Sequence, residues 1–219
     1  MKNYKVGLAL GISAYLTWGL FPLYWPLLKP ANPVEIVSHR AVWTFVFCIA
    51  LLLYTGKLGS TFALLKERRV ILRLILSTLL ISVNWLVYIW GVNHGHVVEC
   101  ALGYYINPLI IIAFGVFLLG EKMRTLQWAS VSIATIGVIV LAVDYGRPPW
   151  IALALATSWG SYGLVKKQLG LGALEGLAIE TTLSLLPYGG YLVWLGAKGN
   201  GQFGHHFGLT ILLIMAGVV

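Results

Sequence analysis

Four ionisable residues sit in or beside stretches too apolar to hold them without partners. His39 and Arg40 are the fourth and fifth residues of the run Ile36 to Tyr54, and Glu180 is the fifth residue of the run Gly176 to Ala197. Glu99 opens a stretch in which Cys100 to Gly120 carry no charge, and Glu121 closes it. A charged side chain at the centre of a bilayer costs roughly 2.5–3.5 kcal/mol on insertion scales, so such residues usually face a bundle interior or a water-filled cavity. Arg40 allows two readings. At about 1.5 Å per residue it lies shallow enough to snorkel to the headgroups, or it pairs with Glu99 at the same face, so that neither charge is buried alone. Glu180, with a shorter side chain, is either a carboxylate that takes up protons or a fixed partner for a base or ligand. These four form the candidate set for charge pairing and coupling.

Uncharged hydrogen-bonding groups form a second set. In NWLVYIWGVN, Asn84 and Tyr88 are four apart and share a helix face. Asn84 reads either as an inter-helix hydrogen bond or, with Trp85 and Tyr88, as cavity wall. In GYYINP, Tyr104 and Asn107 are three apart, and Pro108 removes the donor that would bond the Tyr104 carbonyl. Loosened backbone at membrane depth is tolerated where protein or cavity water satisfies it, although proline kinks also serve packing alone. Tyr15, Trp18 and Pro22 make one stripe, and Ser158 and Tyr162 another. Together they predict a chamber walled by aromatic rings with a few hydrogen-bonding groups, suited to a small amphipathic or zwitterionic solute. The candidate cavity residues are therefore Tyr15, Trp18, Asn84, Trp85, Tyr88, Tyr104, Asn107 and Tyr162.

The elements that must position them follow from composition. Of 219 residues, 59% are hydrophobic and 10% charged, with a mean hydropathy of +0.86, where a soluble domain carries about 25% charged residues. Apolar runs of roughly 17–25 residues cross the hydrocarbon as helices. Seven are expected: Val6 to Leu28, Ile36 to Tyr54, Leu74 to Asn93, Cys100 to Gly120, Leu126 to Val143, Trp150 to Val165 and Gly176 to Ala197, with Phe207 to Val219 as an incomplete eighth. No run alternates apolar and polar residues as a barrel strand would. The fold class is thus an all-α polytopic membrane protein. The first run is too long for a signal-peptide core and lacks a small-residue cleavage site after it. Cys48 and Cys100 lie inside apolar runs and read as small buried hydrophobes. Trp25, Tyr54, Trp128, Tyr145, Trp150 and Trp194 lie at run ends, as an interfacial belt requires.

Basic residues set the orientation. Taking the connections alternately, one side holds 11 of the 15 Lys and Arg residues and the other holds Lys29, Arg40, Arg147 and Lys198. The rich side, which includes the N-terminus, is expected to be cytoplasmic. The net charge of +8 follows from this bias and from anionic lipid, with no nucleic-acid partner required. His94 with His96, and His205 with His206, lack thiol or carboxylate company and are weak evidence for a metal. No cofactor is expected, and no GxxxxGK[ST], HExxH or GxSxG motif occurs.

A faint internal repeat sets the domain plan. Trp18-Gly19 recurs as Trp159-Gly160, and Glu35 aligns with Glu175. A copied unit of five helices must insert upside down, the inverted plan of many secondary transporters. The expected units are residues 1–145, five helices, and 146–219, an incomplete copy. A full second copy would run to about residue 290, so the chain is expected to be an N-terminal fragment.

EIVSHRAVW, NWLVYIWGVN, ECALGYYINPL, LGEKMRTLQW and SYGLVKK closely resemble the RarD branch of the EamA-type permeases, in the drug/metabolite transporter superfamily. The resemblance runs from the first span to the seventh. It implies ten helices in two inverted five-helix repeats, a bacterial inner membrane and a transport role. Its motif residues fall on His39, Arg40, Asn84, Trp85, Glu99, Tyr104, Asn107, Pro108, Glu121 and Glu180. Glu121 itself reads as a turn and anchor, shielded by Lys122 and Arg124. Two functions stand side by side: a secondary permease working by alternating access, with proton coupling through Glu180, His39 or Glu99, and a multi-pass membrane enzyme or non-transporting scaffold. Short connections without a catalytic cluster favour the permease.

Overall fold

The structure, a computed structural model, describes residues 2–144, 146 and 148–218, with side chains from residue 6 onward. The expectations for Tyr145 and Arg147, for the side chains of Lys2 and Lys5, and for Val219 lie outside the described residues. Within them the elements are α1 (Lys2–Tyr24), α2 (Pro33–Tyr54), α3 (Leu58–Ala63), α4 (Arg68–Asn93), α5 (Val97–Leu119), α6 (Thr125–Asp144), α7 (Trp150–Leu169), α8 (Ala173–Ala197) and α9 (Phe207–Met215), with 3-10 turns at Trp25–Leu28 and Leu64–Lys66. No strand occurs among the described residues.

Helix ends follow local chemistry. Asn32 caps α2, its side chain accepting from the Glu35 N–H at 2.9 Å with Pro33 in the first turn, a combination that satisfies one orphan donor and presets the backbone. α5 and α7 end at Gly120 and Gly170, with φ of 67° and 63°, where a side chain would be strained. Proline falls inside three helices, at Pro22, Pro108 and Pro187.

Among the described residues five helices are long and apolar enough to cross a membrane singly: α1 with the turn after it, α2, α4, α5 and α6. The expectation of seven complete single spans is corrected at α7 and α8, which meet the criterion only as a pair, bent by 117° at the break between them. The reason is polar content: α7 ends in Lys166, Lys167 and Gln168, and α8 carries Glu175, Glu180, Thr181, Thr182 and Ser184. Each still has spanning length, 20 and 25 residues, and each packs into its own place, α7 on α5 and α4, α8 on α2 and α4. Glu180, Thr181 and Ser184 are buried in the bundle, whereas Lys167 and Gln168 are exposed.

α4 lies at the centre, touching α2, α5, α7 and α8. The main core joins Trp25, Leu28, Ile36, Val37, Ile89, Ile151, Leu155 and Leu213. α5 and α7 approach closely over Leu102, Ile106, Ala152 and Ala156, because small residues let the backbones meet. A Cβ added at Gly103 would lie 3.0 Å from the Ala152 carbonyl oxygen, and one at Gly160 would lie 2.8 Å from Ile110 Cγ2. α6 buries no residue. Cys48 and Cys100 are buried free thiols.

Contacts between connections respect the alternation of ends. At one end Lys57 pairs with Glu175 at 2.9 Å, Lys167 with Glu121 at 3.5 Å, and Arg73 Nη1 donates to the Gln168 carbonyl at 3.2 Å. At the other, Tyr191 donates to Asn32 and the Gln202 N–H donates to Glu35.

Candidate substrate cavity

Arg40 projects from α2 into a cavity of about 220 Å³ at the bundle centre. Its guanidinium carbon lies 4.5 Å from the Trp85 ring centroid, 5.2 Å from Trp25 and 5.8 Å from Phe21. This overturns the expected pair with Glu99. The Glu99 carboxylate points instead at the start of α7, where Oε1 accepts from the Ile151 N–H at 2.9 Å. It overturns snorkelling as well, since Nε and Nη1 of Arg40 are enclosed without a hydrogen-bond partner. Cation–π attraction to three rings offsets part of the cost of enclosure, but rings accept no ordinary N–H bond.

The cavity wall draws on α1, α2, α4, α5, α7 and α8. Trp18, Asn84, Trp85, Tyr88, Tyr104 and Tyr162, six of the eight residues expected from spacing, line it. The other two, Tyr15 and Asn107, line an adjoining cavity of about 490 Å³ that shares Trp18, Tyr88, Tyr104 and Trp159 as walls. Both readings of Asn84 hold at once. Its amide nitrogen donates to the Leu155 carbonyl at 3.2 Å and to Ser158 Oγ at 3.0 Å, tying α4 to α7, and the residue also faces the cavity. Edge-to-face contacts link Tyr15 to Trp18 and Trp18 to Trp159, with centroids 5.7 and 5.8 Å apart, and Trp159 stacks on Tyr162 at 5.5 Å. Tyr88 meets Tyr104 edge-on at 5.9 Å. Such pairs fix ring orientation as well as burying area.

Glu180 anchors the floor. Oε1 accepts from Ser77 Oγ at 2.6 Å and Lys166 Nζ at 3.1 Å, while Oε2 accepts from the Tyr162 hydroxyl at 3.1 Å. The carboxylate is 1% exposed and the lysine side chain 18%. The network joins α4, α7 and α8 and holds Tyr162 against the cavity.

His39 stands apart. Next to Arg40 in sequence, it is turned by one helical step onto Phe203, with rings stacked at 4.7 Å, and lines a different cavity of about 300 Å³ beside Glu35. Glu121 is held by Lys167 of α7, not by Lys122 or Arg124 as expected. Sequence reasoning missed Phe21, Lys166, Ser77, Ile81 and Leu177, and placed Trp25 in the interfacial belt. The i, i+3, i+4 spacing from Trp18 through Phe21 to Trp25, and from Tyr162 to Lys166, carried the signal for three of them. Among the described residues no group of three His, Cys, Asp or Glu side chains could hold a metal.

A bundle of long apolar helices around an aromatic-walled cavity, with Arg40 on its wall, defines a polytopic membrane protein with an internal solute-sized chamber. The EamA-like transporter family matches residues 5–143, and the chain belongs to it. It is 49% identical over 216 residues to Protein RarD of Streptomyces exfoliatus, covering 98% of this chain and 69% of that protein. It is 44% identical over 223 residues to a protein of Bacillus subtilis (strain 168) called uncharacterized transporter YojE, covering 98% and 72%. It is 38% identical over 220 residues to Protein RarD of Escherichia coli (strain K12), covering 100% and 74%. No solved structure matches.

Proposed function

We propose that the chain supplies the solute-binding chamber of a secondary permease that moves a small amphipathic molecule by alternating access. The observation that carries this reading is the pair of adjoining central cavities, walled by six helices and by rings, whose combined size falls within the roughly 300–1,000 Å³ usual for small-molecule sites. The inverted-repeat plan, residues 1–145 against 146–219, gains support from Trp18 and Trp159, the repeat-matched pair, which meet ring to ring at the cavity. A cytoplasmic N-terminus and an inner-membrane location belong to the same proposal, supported by the basic residues gathered at the end where Lys57, Arg73 and Lys167 make their contacts.

For Glu180 the geometry favours the fixed partner over the proton carrier, because Lys166 neutralises it and two hydroxyls complete its shell. The relatives are named as transporters, and no observation favours an enzyme or a scaffold.

The test is accessibility from both faces. Ile81 lines the chamber, so Ile81→Cys, in a Cys48→Ala, Cys100→Ala background, should react with a membrane-impermeant thiosulfonate in right-side-out and in inverted vesicles. Labelling from neither face, or from one face under every condition, refutes alternating access through this chamber.

A further inference from the structure

Arg40 is the unexplained charge of the bundle. Lys166 is engaged with Glu180, Glu99 with the Ile151 N–H, and Glu35, through Oε1, with the Gln202 N–H, while His39 is stacked on Phe203 in a separate cavity with its Nε2 unpartnered. Arg40 forms no ion pair and no hydrogen bond among the described residues, and its Nε and Nη1 are shut away from the surface. Buried polar groups in native structures are almost always satisfied, and a specific exception demands an explanation. A guanidinium is always protonated and matches a carboxylate fork. Its position on a cavity wall, with rings on three sides, makes the missing partner something that enters the cavity.

We infer that Arg40 binds the carboxylate of the transported solute, while the faces of Trp85, Tyr88, Tyr104 and Trp159 take its apolar body. This rests on the permease reading and narrows it to one substrate class, small monoanionic carboxylates with an aromatic or bulky apolar part. A neutral solute could satisfy the N–H groups but would leave the charge uncompensated. A phosphate dianion would bring one charge too many, because Lys166 is committed to Glu180. Asn84 makes no bond through its amide oxygen among the described residues and lines the same cavity, so it offers an acceptor to an N–H or O–H of the solute.

Three probes that share a 4-nitrophenyl body and differ in charge decide the matter: 4-nitrobenzoate, 4-nitrobenzamide and 4-nitrobenzylammonium. Each quenches tryptophan fluorescence when held near Trp18, Trp85 or Trp159, and binding is read by titrating the purified chain in detergent with correction for probe absorbance. The acid should bind at least about tenfold more tightly than the amide, and the ammonium least. In Arg40→Met the preference for the acid over the amide should vanish, and Arg40→Lys should keep part of it. Equal binding of acid and amide by the native chain overturns the inference. So does an acid preference that survives in Arg40→Met, or an absence of quenching by all three probes at millimolar concentration. If Arg40→Met aggregates, the acid-to-amide ratio of the native chain and of Arg40→Lys decides alone. Acid-selective binding without two-sided labelling of Ile81→Cys would remove the transport reading and leave this one standing; two-sided labelling without acid selectivity would do the reverse.

Discussion

Removing the charge of Glu180 without changing its shape tests the architecture at its most constrained point. Glu180→Gln keeps a group able to accept from Ser77 or Tyr162 but presents an amide to Lys166, whose ammonium lies 3.1 Å from the native carboxylate and is 18% exposed as a side chain. Breaking a buried pair by removing one partner costs about 3–5 kcal/mol, because the remaining charge is left uncompensated. The partly exposed lysine can swing its stem toward the headgroups, so the expected loss is about 2–3 kcal/mol. Lys166→Met leaves the 1%-exposed carboxylate with only two hydroxyl donors, and should cost about 3–5 kcal/mol. The double variant removes both charges and should be less destabilised than the sum of the singles by at least about 2 kcal/mol, as coupled neighbours are. The assay is reversible unfolding in mixed micelles with increasing sodium dodecyl sulfate, followed by tryptophan fluorescence. Additivity of the two singles within about 0.5 kcal/mol, or a neutral Glu180→Gln, would refute the claim that this pair holds α4, α7 and α8 together.

Other outcomes follow from the same contacts. Gly103→Ala drives a Cβ to 3.0 Å from the Ala152 carbonyl oxygen, and Gly160→Ala drives one to 2.8 Å from the Cγ2 branch methyl of Ile110, which is stiff at χ1; each should cost about 1–3 kcal/mol, read in the same unfolding assay. Glu121→Gln, which breaks an exposed pair with Lys167 at 3.5 Å, should change stability by under about 0.5 kcal/mol, so a large loss would give that pair a role the geometry denies it. Asn32→Ala removes the α2 cap and the Tyr191 contact and should cost about 1 kcal/mol by the same measurement. Reporter domains fused after Lys66 and after Arg147 should report opposite compartments, and agreement between them would overturn the alternation of ends.

The spans, the free buried cysteines and six of the central cavity residues were legible in the chain because each rests on one-dimensional information. A span needs only enough apolar residues at 1.5 Å each. A shared face needs only i, i+3, i+4 spacing, which put Asn84 beside Tyr88. The polar halves of α7 and α8 blurred the span count for the same reason: their Lys, Glu, Thr and Ser residues lower hydropathy whether they face lipid or a partner helix.

Partnership was decided by the tertiary structure alone. Arg40 and Glu99 belong to the same end by sequence, yet one faces three rings and the other the first turn of α7. His39 and Arg40, one residue and about 100° apart on a helix of 3.6 residues per turn, point into different cavities. Lys167 of α7, 46 positions away, holds Glu121 in place of its sequence neighbours. Sequence determines how deep a residue lies and which stripe it occupies on its own helix. The rotation of that helix about its axis and the order in which helices pack are fixed only by close approaches such as Gly103 on Ala152 and Gly160 on Ile110, which lock α5 to α7, and in the packed bundle Arg40 faces the chamber with no acid paired to it among the described residues.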